Sequence, residues 1–313
     1  MLLPTICLHK RKGGDTCIKL QSGEQGGYMI IILTRSNIRS YLGKFGGDIY
    51  ITGKENLYDF LDGYRYLNLQ QIKAENIDYI VVATDQFFNE VVGEAKQLGF
   101  DREHILPIRI FAMPCFDFDN YVKLLHSHIS IFSNSCWGGV TYHSLAMKFR
   151  SPLINMFESD EDYLKILANP QYYFDLKLQF DSWGNNSEWY YPICRLGDVI
   201  LHFNHSKSME EVEKKWYDRV NRINYENIFA MMYTERESSL EKFVMLPYKK
   251  KVCFLPFEST YPCACTLQYA SKKTDEPFWR LVNCNPGGMY HDYDIITMLN
   301  SGIPNHSRII SAF

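Results

Sequence analysis

From residue 29 onward, short apolar runs alternate with segments whose apolar residues recur every three or four positions. The first kind reads as strand and the second as amphipathic helix. MIIILT (29–34), DIYIT (48–52), IDYIVVAT (77–84) and ILPIRIF (105–111) are strand candidates. The middle two are near-continuous apolar runs, as expected of parallel strands covered on both faces. Between the last two, NEVVGEAKQLGF puts Val91, Val92, Ala95 and Leu98 on one helical face and stops at Gly99. These elements predict a small Rossmann-like domain over residues 29–121. Residues 1–28 hold Gly13, Gly14, Gly23, Gly26 and Gly27 with no sustained period, and read as an irregular arm.

Residues 122–313 predict a second, larger α/β domain, Rossmann-like with a mixed sheet. HISIFS (128–133) reads as strand, VTYHSLAMKF (140–149) as helix and SPLINMF (151–157) as a returning strand, a βαβ unit. Ser159 and Asp162 have N-cap spacing, so a helix starts between them. YYPICRLGDVILHF (190–203) reads as two strands joined in a hairpin at Gly197 and Asp198. Ser208 and Glu211 form a capping box ahead of EVEKKWYDRVNRIN. NIFAMMY (227–233) reads as strand, SSLEKFVMLP (238–247) as a helix ended by Pro247, and KKVCFLP (250–256) as strand. With VILHF (199–203) as first strand, this stretch predicts a parallel β-α-β-α-β half. CTLQYA, FWRLVNC and YDIITML follow as short segments, the last of them amphipathic.

Composition narrows the function classes. The 313 residues are 46% hydrophobic and 22% charged, with net charge −3. That charge provides no basic field for nucleic acid or anionic lipid. The longest apolar run, Met29 to Leu33, is far short of the about 20 residues a membrane span needs. The opening MLLPTICLHKRK places its apolar patch before its basic cluster, the reverse of a signal peptide, so a cytoplasmic location is expected. Nine cysteines are scattered, and C-A-C at 263–265 lacks the paired spacing of a zinc site. No metal is expected. The strand at 29–34 runs into TRSNIRS with no G-x-G-x-x-G, which argues against NAD or FAD.

The richest stretch is ISIFSNSCWGGVTYHSLAM (129–147), a buried-type strand, a polar-glycine turn and a helix start. Ser133, Asn134, Trp137, Gly138 and Gly139 could hold an anion or sugar, because helix-start N–H groups favour anions and glycine admits close approach. The competing reading makes the polar residues caps and Trp137 a core plug. Cys136 at a helix N-terminus has its thiolate favoured by the helix dipole. His143 lies two turns on, about 10 Å along the axis, too far to serve as its base.

A second cluster, LHFNHSKS (201–208), ends a strand and leads into a capped helix. His202 and His205 are candidate bases there and Lys207 a candidate grip on an anion, against a reading as one packed and one solvated histidine. Lys214, Lys215, Arg219 and Arg222 read as a solvated helix face paired with acids.

From Ile129 to about Pro256 the chain resembles a bacterial family of uncharacterised proteins. Its members carry a domain of unknown function, some loosely labelled exopolysaccharide biosynthesis proteins or acyltransferases. The matching words are SNSCWGGVTYHSL, FRSP (149–152), YPICRLGDVILHFNHSKSMEEVEKKWYDRVNRINYENIF and LPYKKKVCF, and DYDIITMLNSG fits the family's ending. GYRYLNLQQIKAENIDYIVVAT is similar to the front domain of bacterial enzymes that modify surface sugars. The resemblance implies a setting among glycan genes and no established reaction. Three readings follow: a transferase acting on a sugar, nucleotide-sugar or acyl-donor substrate, a non-catalytic glycan- or protein-binding module, and a Cys-His hydrolase. A Cys136 sulfur within about 4 Å of His202 or His205 favours thiol chemistry, and wide separation favours binding.

Overall fold

Four apolar runs of the C-terminal half, SIFS, IFAMMY, KKVCFL and ACT, line up as one parallel sheet in the computed structural model of the chain. The structure describes the backbone of residues 5–10, 16–21, 30–33, 49–52 and 79–82, and then residues 88–107, 110, 116–267, 277–284 and 293–304. The chain divides into two compact units, Met1–Phe118 and Asp119–Phe313.

In the first unit, β1 (Thr5–Lys10) and β2 (Thr16–Gln21) pair antiparallel, with Ile6 opposite Leu20 and Leu8 opposite Ile18. β3 (Ile30–Leu33) pairs antiparallel with β2. β4 (Ile49–Thr52), β5 (Tyr79–Val82) and β6 (Ile105–Pro107) form a parallel sheet in that order, with α1 (Phe88–Gln97) between the last two. Two expectations change. Thr5–Lys10 and Thr16–Gln21 are strands within the supposed arm, because their apolar positions alternate with period two. The run at 29–34 joins this antiparallel sheet and not the parallel one. Residues 34–48 and 53–78, which would link a Rossmann-like unit, lie outside the described residues, and the described ones do not support that organisation.

The second unit opens with α2 (Phe118–His126), then β7 (Ser130–Ser133) and α3 (Trp137–Ser144). Ile131 N–H donates to Tyr142 Oη (2.8 Å), and that hydroxyl donates to Ile129 O (3.0 Å), tying α3 to its own strand. The helix stops before the predicted 149 because Ala146 turns left-handed at φ 53° and Met147 N–H closes on Tyr142 O. The 151–157 run is not a strand. Asn155 sits at φ 56°, Ile154 N–H bonds Pro152 O, and a lone antiparallel bridge joins Phe157 to His202. Leu153, Ile154 and Met156 are buried all the same while Phe157 is exposed, so the run packs as a bent segment.

α4 (Asp160–Ala168) starts where expected, with Ser159 accepting from Asp162 N–H, and α5 (Pro170–Asp175) follows. β8 (Gln179–Asn185), β9 (Tyr190–Leu196) and β10 (Val199–His202) form a separate antiparallel sheet, order β10-β9-β8. The hairpin turns at Gly197, whose φ of +64° suits glycine. The expected single mixed sheet is therefore two sheets, and β10 does not open the parallel half.

α6 (Met209–Val220), β11 (Ile228–Tyr233), α7 (Glu237–Val244), β12 (Lys250–Leu255) and β13 (Ala264–Thr266) follow, then α8 (Phe278–Cys284) and α9 (Ile295–Ser301). The parallel order is β13-β12-β11-β7, so β7 takes the place predicted for β10 beside β11. Phe132, Ala230, Met232, Cys253 and Leu255 join Tyr163, Trp216 and Phe243 in one buried core. The architecture is mixed α/β, with parallel and antiparallel sheets. Among the described residues no helix is long and apolar enough to cross a membrane.

Candidate active site

The parallel strands deliver Ser133 and Tyr233 to the same sheet edge. Just past β7, Asn134 behaves as a spare peptide: its Nδ2 donates to Tyr233 O (2.9 Å) and its Oδ1 accepts from Tyr233 N–H (3.0 Å). This pins the turn that carries Cys136, the residue before the first turn of α3.

Cys136 Sγ lies 3.3 Å from His205 Nε2. The imidazole arrives from the turn between β10 and α6, 69 residues along the chain. That turn is held by Ser208, which accepts from Glu211 N–H, while Glu211 accepts from Lys207 N–H (3.0 Å). Burial pushes the Cys136 thiol up to about 12, and an ionised Glu158 would push it the same way. Partial loss of hydration holds His205 below its ordinary value. At neutral pH the pair is a neutral thiol beside a neutral imidazole. A neutral imidazole with a free Nε2 lone pair can accept the thiol proton; this assigns the tautomer with the proton on Nδ1.

Glu158 was not singled out in the sequence. It is 6% exposed, and both carboxyl oxygens are buried with no hydrogen-bond partner among the described residues. Burial first, then the charges of Asp162 and Asp160, raise its pKa well above the carboxylate range. An ionised Glu158 would raise the pKa values of Cys136, Tyr163 and Tyr233, but burial favours the neutral carboxylic acid. A lone Glu before a capping serine carries no sequence signal for this; only the folded surroundings make it unusual.

The remaining candidates land apart. His202 stacks on Phe157 at 4.5 Å, and its Nδ1 lies 3.5 Å from Tyr191 Oη. Trp137 is fully buried between Phe229 and Phe254 and donates from Nε1 to Tyr293 Oη (2.9 Å). Its ring faces are occupied by core aromatics. Ser133 Oγ accepts from Gly138 N–H (3.1 Å), and Ser135 Oγ accepts from Trp137 N–H (3.3 Å). Two helix-start donors expected to be available for an anion are thus used inside the turn. A Cβ on Gly138 would meet Ser133 Oγ at 2.6 Å, and one on Gly139 would strike Asn155 Oδ1, so both glycines make room for protein. Lys207 lies with its Nζ over the Trp189 ring at 5.3 Å. Among the described residues no three His, Cys, Asp or Glu side chains are grouped to hold a metal ion.

His205 also lines a small cleft. Its walls are Pro152, Ile154 and Asn155 from the bent segment, Ser206 beside His205, and Lys215 and Arg219 from α6.

An uncharacterised protein of Haemophilus influenzae is 35% identical over 136 residues, 42% of this chain. The chain spans 64% of that relative's length. Neither this relative nor the family match carries a polysaccharide role. The family model matches residues 108–300, which take in Cys136, Glu158 and His205, and the chain belongs to the family of the domain of unknown function DUF1919.

Proposed function

We propose that this protein transfers acyl groups through Cys136, with His205 as general base. The observation that carries the reading is the 3.3 Å approach of Cys136 Sγ to His205 Nε2. A nucleophile and a base within hydrogen-bond reach are what covalent catalysis requires, and the distance lies inside the range set for thiol chemistry.

The raised thiol pKa determines how the step runs. No thiolate waits in the resting site. The S–H proton passes to His205 Nε2 as sulfur bonds to the acyl carbon, and the carbonyl π pair moves to oxygen. When the tetrahedral intermediate collapses, the bond from carbon to the leaving group breaks, and His205 returns the proton to that group. A water or hydroxyl acceptor then attacks the thioester, giving its proton to His205 and restoring the thiol. In this reading Glu158 keeps its proton, so that no carboxylate charge opposes the build-up of negative charge on the carbonyl oxygen.

The resemblance to polysaccharide-linked acyltransferases and the exposed rings of Phe180, Trp183 and Tyr190 on the antiparallel sheet favour a sugar hydroxyl over water as acceptor. The test is acylation by p-nitrophenyl acetate. Intact mass and peptide mapping should show one acetyl group on Cys136, absent in Cys136→Ala and formed far more slowly in His205→Ala. Equal labelling of wild type and Cys136→Ala would overturn the reading.

A further inference from the structure

The cleft beside His205 is lined by two cations, Lys215 and Arg219. Lys215 is paired with Glu211, whose carboxylate also accepts from Lys207 N–H. Arg219 makes no close ion pair among the described residues, and the charges of Asp218 and Glu211 act on it only at a distance. Its Nη1 donates to Ile154 O (3.4 Å), and its guanidinium lies over the Phe149 ring at 5.3 Å. These contacts orient the planar group and occupy one of its five N–H donors. The remaining fork matches the paired oxygens of a phosphate or carboxylate. Partial burial removes water from the guanidinium, holding it down to about 10, which still leaves it charged at neutral pH. Ser206, itself buried, and Asn155 add polar groups to the same walls.

We propose that this cleft binds an oxyanion on the acyl donor or acceptor, gripped by Arg219, and so places the acyl carbon near Cys136. The substrate class is an anionic acyl compound or an anionic glycan, since His205 both lines the cleft and contacts the thiol. The inference rests on the acyl-transfer reading for its meaning, although the anion site itself can be measured without turnover. It also answers a gap left by the helix start of α3, where Ser133 and Ser135 already take two of the first N–H groups.

The experiment titrates the full chain with inorganic phosphate and, separately, with acetate, following the imidazole signals of His205 by NMR. A saturable shift is expected with at least one anion. Saturation by phosphate alone identifies a phosphorylated carrier or donor, and saturation by acetate identifies a carboxylated partner. In Arg219→Gln the half-saturating concentration should rise by about tenfold or more, the effect of losing one charge-assisted contact. Arg219→Lys keeps the charge without the fork and should fall between the two. It also keeps the test usable if Arg219→Gln fails to fold. No saturable shift with either anion, or unchanged half-saturation in both variants, overturns the proposal. Anion binding that persists in Cys136→Ala while no acyl-enzyme forms in the wild type would remove the acyl-transfer reading and leave the anion site standing.

Discussion

The turn from β7 into α3 and the turn from β10 into α6 meet at one contact, and they are built in opposite ways. In the first, Ser133, Asn134, Ser135 and Trp137 are buried and hydrogen-bonded within the fold, and two glycines admit Ser133 and Asn155. Cys136 is its one half-exposed polar member before the helix. In the second, Asn204 is half-buried and His205 and Lys207 are exposed, and the helix cap holds the turn from one side. The first turn supplies position and the second supplies a group that can change protonation. A reactive pair benefits from this division, because a nucleophile must be held still while its base must exchange protons with solvent.

The largest expected effect strikes the contact itself. Cys136→Ala should cost about 10³-fold or more in acyl transfer from p-nitrophenyl acetate. As the substitution removes a single sulfur atom, the unfolding midpoint in urea should move little, by less than about 1 kcal/mol. A large loss of stability with retained activity would mean that the sulfur is only part of the frame. The frame is probed by Trp137→Ala, which empties the space between Phe229 and Phe254. It should destabilise the fold by about 3–5 kcal/mol in urea titration. If it folds as well as the wild type and loses only substrate affinity, Trp137 is a ligand platform and the contrast between the turns fails.

Next in size is the difference between the two histidines. His205→Gln should lower the acylation rate by about 10²-fold or more, as loss of a general base does. His202 is packed on Phe157, so His202→Gln should alter stability more than rate. Equal rate losses would place both imidazoles in the chemistry. The pH profile should separate them further. His205 must be neutral to accept a proton, and its pKa is lowered, so the acid limb of the wild-type rate should lie below the ordinary histidine value of 6.5. The thiol stays protonated through neutrality, so iodoacetamide should modify Cys136 slowly at pH 7 and faster with each step upward. A reaction that saturates below neutrality would indicate a preformed thiolate and a different mechanism.

Much of this frame is legible in the chain. Ser159 and Ser208 announce their helices because N-cap chemistry is local, and Gly197 announces its hairpin because φ is a property of one residue. Strand partnership is not local. VILH alternates equally well beside β9 or beside β11, so the parallel half predicted from β10 begins instead at β7. SPLINMF has strand composition, yet Asn155 bends it, and its burial comes from packing on the core. Cys136 and His205 each stood out within their own words, but their 3.3 Å contact joins positions 69 apart, a separation that spacing rules on a helix or strand cannot bridge.

Glu158 gives the smallest effect and the closest test of the first turn's surroundings. Its folded pKa is raised above the unfolded value of 4.5 by burial, so below that value both states hold the proton. As pH rises past 4.5 the unfolded chain releases its proton while the folded chain retains it. The unfolded state is then favoured progressively, and stability is lost with rising pH until the folded group also titrates. Glu158→Gln keeps the shape and removes the proton exchange. The variant should therefore gain on the wild type in urea midpoint as pH rises above 4.5, with little difference near pH 4. It should leave the pH dependence of Cys136 alkylation nearly unchanged across neutrality, because a neutral acid exerts little field on the thiol. If the alkylation profile shifts downward at pH 7 and the wild type gains stability with pH, Glu158 is ionised and paired. The thiol would then owe its high pKa to a neighbouring charge.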